Sequence, residues 1–455
     1  MTSSLLRPLL AASCFAALSS LAGAAAANWP TWRGPSGAGV APDARPPLKW
    51  SDTENIKWKT KLPGDGHATP IVWQDRMFVL TAIETNEAPP TAQKTAVADA
   101  PQPKGGKRGA SKGGGFGGGP ASAKVHEWAV IALDRGTGKI LWQKIARREV
   151  PHEGHHATHG YASGSPVTDG EYLYASFGSR GVYCYDFAGN LKWEKDLGRM
   201  RTRMGFGEGA SPALAGNLLL VPWDHEDGSS IVALDKRTGA EVWRKGRDEI
   251  SSWSTPLIVE HEGRSQAVVT ASNKTRSYDA KTGELIWEAA GLTGNVIPMP
   301  VTGHGRVYVT SGFRGFSIQA IKLSARGDVS ETDNIVWSVR HSAPYVPSPV
   351  LSGDRLYTIK SNDAFLSCLD AHTGKFHFQD QRLTGLRTIY SSPIAANGYL
   401  FVTDREGTAV VLKDGPTFEI VATNKLGDGI DASPVMLGKE IYLRGHEYLY
   451  CIAEG

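Results

Sequence analysis

The sequence predicts an all-β fold: an eight-bladed β-propeller of four-stranded antiparallel blades, its ring closed by the N-terminal strand. Three observations predict it. A proline-marked unit returns eight times, a turn followed by a tryptophan recurs inside most of these units, and the last unit is one strand short.

The proline mark is a Ser-Pro-like pair followed by an alternating apolar run. It appears as Thr69-Pro70, Ser165-Pro166, Ser211-Pro212, Thr255-Pro256, Met299-Pro300, Ser348-Pro349, Ser392-Pro393 and Ser433-Pro434. From the second proline onward the spacings are 46, 44, 44, 49, 44 and 41 residues. Such a period is that of a propeller blade. The first gap, 96 residues, contains a low-complexity insert. Proline at the start of an inner strand forfeits no ladder bond that matters.

The turn landmark reads Ala132-Leu133-Asp134, then Thr137-Gly138, then Trp142. It returns around Asp235, Gly239 and Trp243, and around Asp279, Gly283 and Trp287. Asp186 to Trp193 is one residue shorter, and Asp370 leads to Phe378 in place of Trp. An Asp carboxylate can accept backbone N–H groups of a turn, and glycine supplies a positive φ. The aromatic that follows is placed to wedge between blades.

Closure is the third element. Residues 433–455 hold three strands, and the missing one should carry a tryptophan. Asn55-Ile56-Lys57-Trp58-Lys59-Thr60 supplies it, hiding the edge that an open ring would expose.

Composition agrees: Gly 52, Pro 26 and Trp 13 in 455 residues suit a turn-rich repeat protein. Residues 1–27 read as a signal peptide, with Arg7, a short apolar run and Ala25-Ala26-Ala27 before Asn28. A lipidation site at Cys14 is the weaker alternative, because Ala11-Ala12-Ser13 makes a poor lipobox. The mature domain is therefore 28–455, periplasmic or secreted, and no later segment approaches the ~20 apolar residues of a membrane span. The net charge of +3 equals that of Glu84 to Lys124 alone, six basic against three acidic residues, so no basic face points to nucleic acid. Within that stretch 86–123 is rich in Gly, Pro and Lys, cannot bury apolar area, and is expected to be a disordered insert in the first blade.

The Asp…Thr-Gly…Trp pattern resembles the tryptophan-docking repeat of the quinoprotein alcohol dehydrogenase-like, or PQQ-like, superfamily. The opening Asn28-Trp29-Pro30-Thr31-Trp32-Arg33-Gly34-Pro35 resembles the start of exported bacterial members. The resemblance covers 28–455 apart from the insert and implies the fold. It does not choose a chemistry, because the superfamily includes quinone-dependent dehydrogenases and non-enzymatic scaffolds such as the BamB outer-membrane assembly protein. The dehydrogenases carry adjacent cysteines against the cofactor. Here Cys184, Cys368 and Cys451 stand apart, each in the small-residue slot held elsewhere by Ala132, Ala233 or Ser277. They are expected to be free and buried.

Two clusters are candidates for function. His152, His155, His156 and His159 could hold a zinc or copper ion. Against this, Pro151, Gly154 and Gly160 break any helix that would align them, and the alternative is a solvated loop leading into the second blade. The residues just before the proline marks should ring the channel mouth. They include His67, His159, Glu208, Trp253, Tyr390 and Asp431, with Tyr161, Asn295 and Tyr345 beside them. This mixed aromatic and polar ring has the composition of a ligand site, although any rim reached by water is polar. With no paired-carboxylate or nucleophile motif, the balance falls on a non-enzymatic binding or scaffolding propeller, a monomer that takes a protein, peptide or small molecule. The alternative implied by the resemblance is an oxidoreductase using PQQ and calcium.

Overall fold

The computed structural model describes residues 28–87 and 117–455. The signal-peptide reading of 1–27 and residues 88–116 of the insert lie outside the described residues. The described residues form eight β-sheets, each built mainly from one consecutive unit, with only two single-turn 3-10 helices, Gly178–Arg180 and Arg203–Gly205. Each blade starts with a short inner strand just after its proline mark. Ile71–Trp73 opens blade one and Val435–Leu437 opens blade eight.

The two middle strands of a blade depart from the expected alternation. Arg76–Glu84 and His126–Asp134 in blade one are buried along almost their whole length. The reason lies in the ring: a blade has a neighbour on both faces. Met77 and Val79 pack toward blade eight, while Phe78 and Leu80 pack toward Leu173 and Ala175 of blade two. Strands covered on both faces read as continuous apolar runs.

The turn landmark does what its residues suggest, and more. Asp134 Oδ1 accepts the Thr137 N–H at 2.8 Å and its hydroxyl at 2.7 Å, and Asp235 and Asp370 repeat the pattern. Gly138, at φ 72°, also lies under the Trp58 ring, where a Cβ would come within 2.4 Å of it. Trp58 Nε1 donates to Arg135 O at 3.0 Å. Trp193 sits in the same way over Gly239, and Trp337 over Gly374. The glycine therefore serves the turn and the docked indole of the preceding blade together. The 49-residue spacing also has a cause. Blade five inserts residues before its fourth strand, and Gly327–Asp328 among them pair with the outer edge of blade four.

The hydroxyl before each proline has its own task. Thr69 N donates to Ser165 Oγ at 2.9 Å, and Ser165 N to Ser211 Oγ at 2.9 Å. The relay continues through Thr255 and, after a gap, through Ser348, Ser392 and Ser433 back to Thr69. It breaks where Met299 has no hydroxyl to offer Thr255. Each link ties one blade to the next at the channel wall. Ser392→Ala removes the acceptor for buried Ser348 N. It should cost about 1–3 kcal/mol, read as a lower denaturation midpoint at unchanged slope.

Closure is as the sequence indicates. Ile56–Lys61 pairs antiparallel with Tyr448–Ile452, setting Trp58 opposite Cys451. Cys184, Cys368 and Cys451 are free and buried, and burial pushes their thiols up to about 12.

The stretch before the closing strand was not anticipated. Residues 28–41 cross the channel from wall to wall. Trp29 bridges Val72 of blade one, Pro30 O accepts Thr168 N of blade two, and Val40–Ala41 pairs in parallel with Ala395 and Ala396 of blade seven. Between them Arg33 is fully buried and donates to Pro349 O at 2.6 Å and Pro393 O at 2.8 Å. The opening motif is thus a plug.

Candidate functional site

The plug turns the channel into a blind well. Above it lies a cavity of about 340 Å³ with Trp32 among its lining residues. Its walls come from many blades: His67 and Thr69, Ser165, Ser211, Trp253, Tyr345, Tyr390 and Asp431. Phe313 stacks on Tyr345 with centroids 5.0 Å apart.

Five of the six rim residues named from the sequence line this cavity together: His67, His159, Trp253, Tyr390 and Asp431. Glu208 does not. Gly207 and Gly209 flank it, and its carboxylate turns between blades, accepting Ser179 N at 2.6 Å and Ser179 Oγ at 2.5 Å. Only its carbonyl serves the rim, accepting from His159 Nε2 at 3.0 Å. Tyr161 also turns away, packing edge-on against Trp128 and His155, while Asn295 is buried in the wall.

The structure does not bring the four loop histidines together around one point, and the loop is more than a solvated connection. His152 Nε2 lies 2.6 Å from Met200 O, His155 Nδ1 2.9 Å from His156 O, and His156 Nδ1 2.8 Å from Thr158 Oγ1. His159 is held between Ser163 Oγ and Glu208 O. The four rings therefore do not converge on one point, although His156 and His159 both line the cavity. The loop instead reaches over the mouth: Thr158 Oγ1 donates to the Tyr390 hydroxyl at 3.1 Å, on the far side of the ring. The end of the insert braces it, with Gly119 N donating to His155 O and Ser122 N to the Tyr161 hydroxyl.

Charge in the well is balanced. Burial drives His159 down to about 3 and lowers His156, so both rings are neutral near pH 7. Asp431 is the hub of the opposite wall. Arg405 donates to it through Nε at 2.6 Å and Nη2 at 3.0 Å, and His446 Nε2 lies 2.9 Å away. Burial opposes its ionisation, but contacts with His446, His67 and Arg405 outweigh that and hold it well below the usual carboxylate range. Arg405 in turn stacks on Tyr390, 4.5 Å from the ring centroid.

Sequence reasoning missed Arg405 and His446. Both sit in turns between the second and third strands of their blades. The inner strand runs away from the mouth and the second returns to it, so these turns form a second ring of rim positions. That ring was available from the strand order.

Behind the mouth, Glu153 accepts Thr202 N at 3.1 Å and Thr202 Oγ1 at 2.7 Å. Burial nevertheless pushes it up to about 7 from 4.5. A raised pKa means the folded state holds the proton more tightly. Its stabilising contribution is full below about pH 4.5 and is lost as pH rises through about 7. Glu153→Gln should therefore lack this loss, and the difference between the stability–pH curves of variant and parent should be confined to that window.

With this geometry in view, the family model described as outer membrane protein assembly factor BamB matches residues 127–377 and 291–454. Together these matches span most of the chain.

The chain belongs to the BamB, PQQ-like repeat family.

Two solved structures share the propeller. BamB from Moraxella catarrhalis aligns at a TM-score of 0.54 and 14% identity, over 87% of this chain and 98% of that one. Quinohemoprotein alcohol dehydrogenase from Comamonas testosteroni aligns at 0.59 and 10% identity, over 94% and 80%. At these identities the likeness is one of fold. No curated protein matches the sequence. Calcium takes six to eight oxygens, carboxylates among them. Among the described residues the well is lined by one carboxylate, Asp431, and its other polar side chains are imidazoles, hydroxyls and the Trp32 and Trp253 indoles. This set does not fit a calcium-held tricarboxylate quinone.

Proposed function

We propose that this chain is an exported, non-enzymatic, monomeric binding propeller that takes one small molecule into the blind well of its channel. The observation that carries this reading is the plug: Trp29 to Ala41 closes one end of the channel and leaves an aromatic-walled cavity open at the other. The size lies within the range of small-molecule pockets. His67, His159, Trp253, Tyr390 and Asp431 would make the contacts. Because Arg405 answers Asp431 and the buried imidazoles are neutral, an uncharged ring with hydrogen-bonding edges suits the well better than an anion or cation. Trp253 offers a stacking face, with its Nε1 already given to Gly207 O.

The donor set weighs against the PQQ and calcium alternative. A scaffold role of the BamB kind would instead place a protein partner on the blade exteriors and leave the well unused. The test is a thermal-shift and tryptophan-fluorescence screen of neutral saccharides and neutral heteroaromatic compounds, with PQQ plus Ca²⁺ and an electron-acceptor dye as a separate arm. A one-to-one binder whose affinity collapses in Trp253→Ala and Tyr390→Ala, at little change in melting, is expected. Dye reduction with PQQ, or a ligand indifferent to both substitutions, would overturn the reading.

A further inference from the structure

The wall around Asp431 carries a second chemistry, independent of which small molecule enters the well. Three residues converge there from three segments: His67 before the first proline mark, Asp431 before the last, and His446 in a turn of blade eight. Asp431 Oδ2 lies 3.0 Å from His67 Nδ1 and 2.9 Å from His446 Nε2. One ligand atom from each residue lies within 4.8 Å of the other two.

The contacts around Oδ2 do not close as hydrogen bonds. A carboxylate oxygen offers two lone pairs. Oδ2 faces three nitrogens, from His446, Arg405 and His67. The first two make hydrogen bonds. His67 Nδ1 is buried and makes none, although it stands at 3.0 Å. His67 Nδ1 therefore stands beside Oδ2 without a hydrogen bond to spend there. Ligand atoms bound at about 2.0–2.1 Å around a tetrahedral ion lie roughly 3.3 Å apart, close to the spacing here.

The surroundings match as well. A ligating imidazole usually turns its other nitrogen to a carboxylate. His67 Nε2 faces Asp65 Oδ1 at 3.6 Å. Arg405 Nε fixes the remaining oxygen of Asp431. Two imidazoles and a carboxylate suit borderline divalent ions of the zinc, cobalt and iron class.

We infer that His67, Asp431 and His446 hold one divalent transition-metal ion of the zinc class on the wall of the well. His67 and Asp431 line the cavity, so the ion's open positions face it and can take a donor atom from whatever occupies it. The other two groupings carry less. His304, Asp354 and His372 are all exposed, and none of His152, Glu153 and Glu208 lines the well.

The test uses the mature protein stripped of metal and titrated with Co²⁺, then with Zn²⁺ in competition. One equivalent of cobalt should produce a visible ligand-field band that zinc abolishes. His446→Ala, at an exposed position where folding is not at stake, should weaken binding by more than the roughly 10–100-fold typical of a lost outer partner. Asp431→Asn should do the same, and both variants are checked for an unchanged circular-dichroism spectrum. His372→Ala, in the exposed grouping, should titrate like the parent. The inference fails if the parent gives no saturable band, or if folded His446→Ala and Asp431→Asn bind cobalt as the parent does. Neither result bears on the saccharide and heterocycle screen, which needs no metal.

Discussion

Deleting residues 28–61 should abolish cooperative folding, not merely lower the melting temperature. The segment contributes one strand of blade eight, and without Ile56–Lys61 the ring ends on an open edge at Tyr448–Ile452. It also carries three buried indoles: Trp29 at 1%, Trp50 at 4% and Trp58 at 9% exposure. Trp50 stacks on Phe401, with its backbone N–H donating to Asn424 Oδ1, and Trp58 docks over the Gly138 turn of blade one. A buried Trp→Ala change costs about 3–5 kcal/mol, so three lost indoles match or exceed the ~5–15 kcal/mol by which whole domains are stable. Trp58→Ala alone separates docking from strand closure. It should keep a cooperative transition and lose about 3–5 kcal/mol. Circular-dichroism melts of parent, point variant and truncation decide it. A truncation that melts within a degree or two of the parent would mean that blade eight does not depend on its borrowed strand.

How far the sequence reaches depends on what repeats. The Asp…Thr-Gly…Trp landmark was legible because the same local physics returns in blade after blade, and the glycine, turn and indole fall where it places them. The hydroxyls before the prolines were visible as a mark, but their purpose was not. Ser165 and Ser211 are 46 residues apart, and the hydrogen bond between them exists only once two blades stand side by side. Five of the six named rim residues line the well because inner strands converge on one axis. Glu208 does not line it, because two flanking glycines let the chain turn its carboxylate into the blade interface. His446 and Arg405 escaped because only one of the two loops per blade that face the mouth was considered. The plug had no periodic signal at all. Trp32 and Arg33 occur once, and nothing in a repeat-based reading says where a lone segment goes.

Arg33 is where that unread segment makes its strongest claim. Replacing it should loosen the plug more than any other single change in residues 28–41. The guanidinium has no exposed surface, and the hydrogen bonds it makes go to backbone carbonyls: Pro349 O, Pro393 O and, at 3.4 Å, Ala38 O. Burial lowers its pKa to about 9, so it is still charged at neutral pH. Two opposing expectations meet here. A buried charge without a counter-ion is a liability, and an apolar residue of similar length can be as stable or more so. Yet the planar fork reaches carbonyls of blades six and seven at once, and hydrogen bonds to charged groups are worth about 1.5–3 kcal/mol each. The fork should prevail, because removing it orphans two buried acceptors on two different blades. Arg33→Met should therefore lose about 3 kcal/mol or more, and Arg33→Ala more still, since it also leaves a void. Arg33→Lys should fall between parent and Met, because one ammonium lacks the rigid fork that spans both carbonyls. Urea denaturation of the three variants gives the order. Hydrogen exchange at Gly39, Val40 and Ala395 then shows whether the loss is local to the plug, as faster exchange there at unchanged protection in the blade cores. If Arg33→Met proves as stable as the parent with the plug equally protected, the guanidinium is tolerated there and the plug is held by its indoles alone.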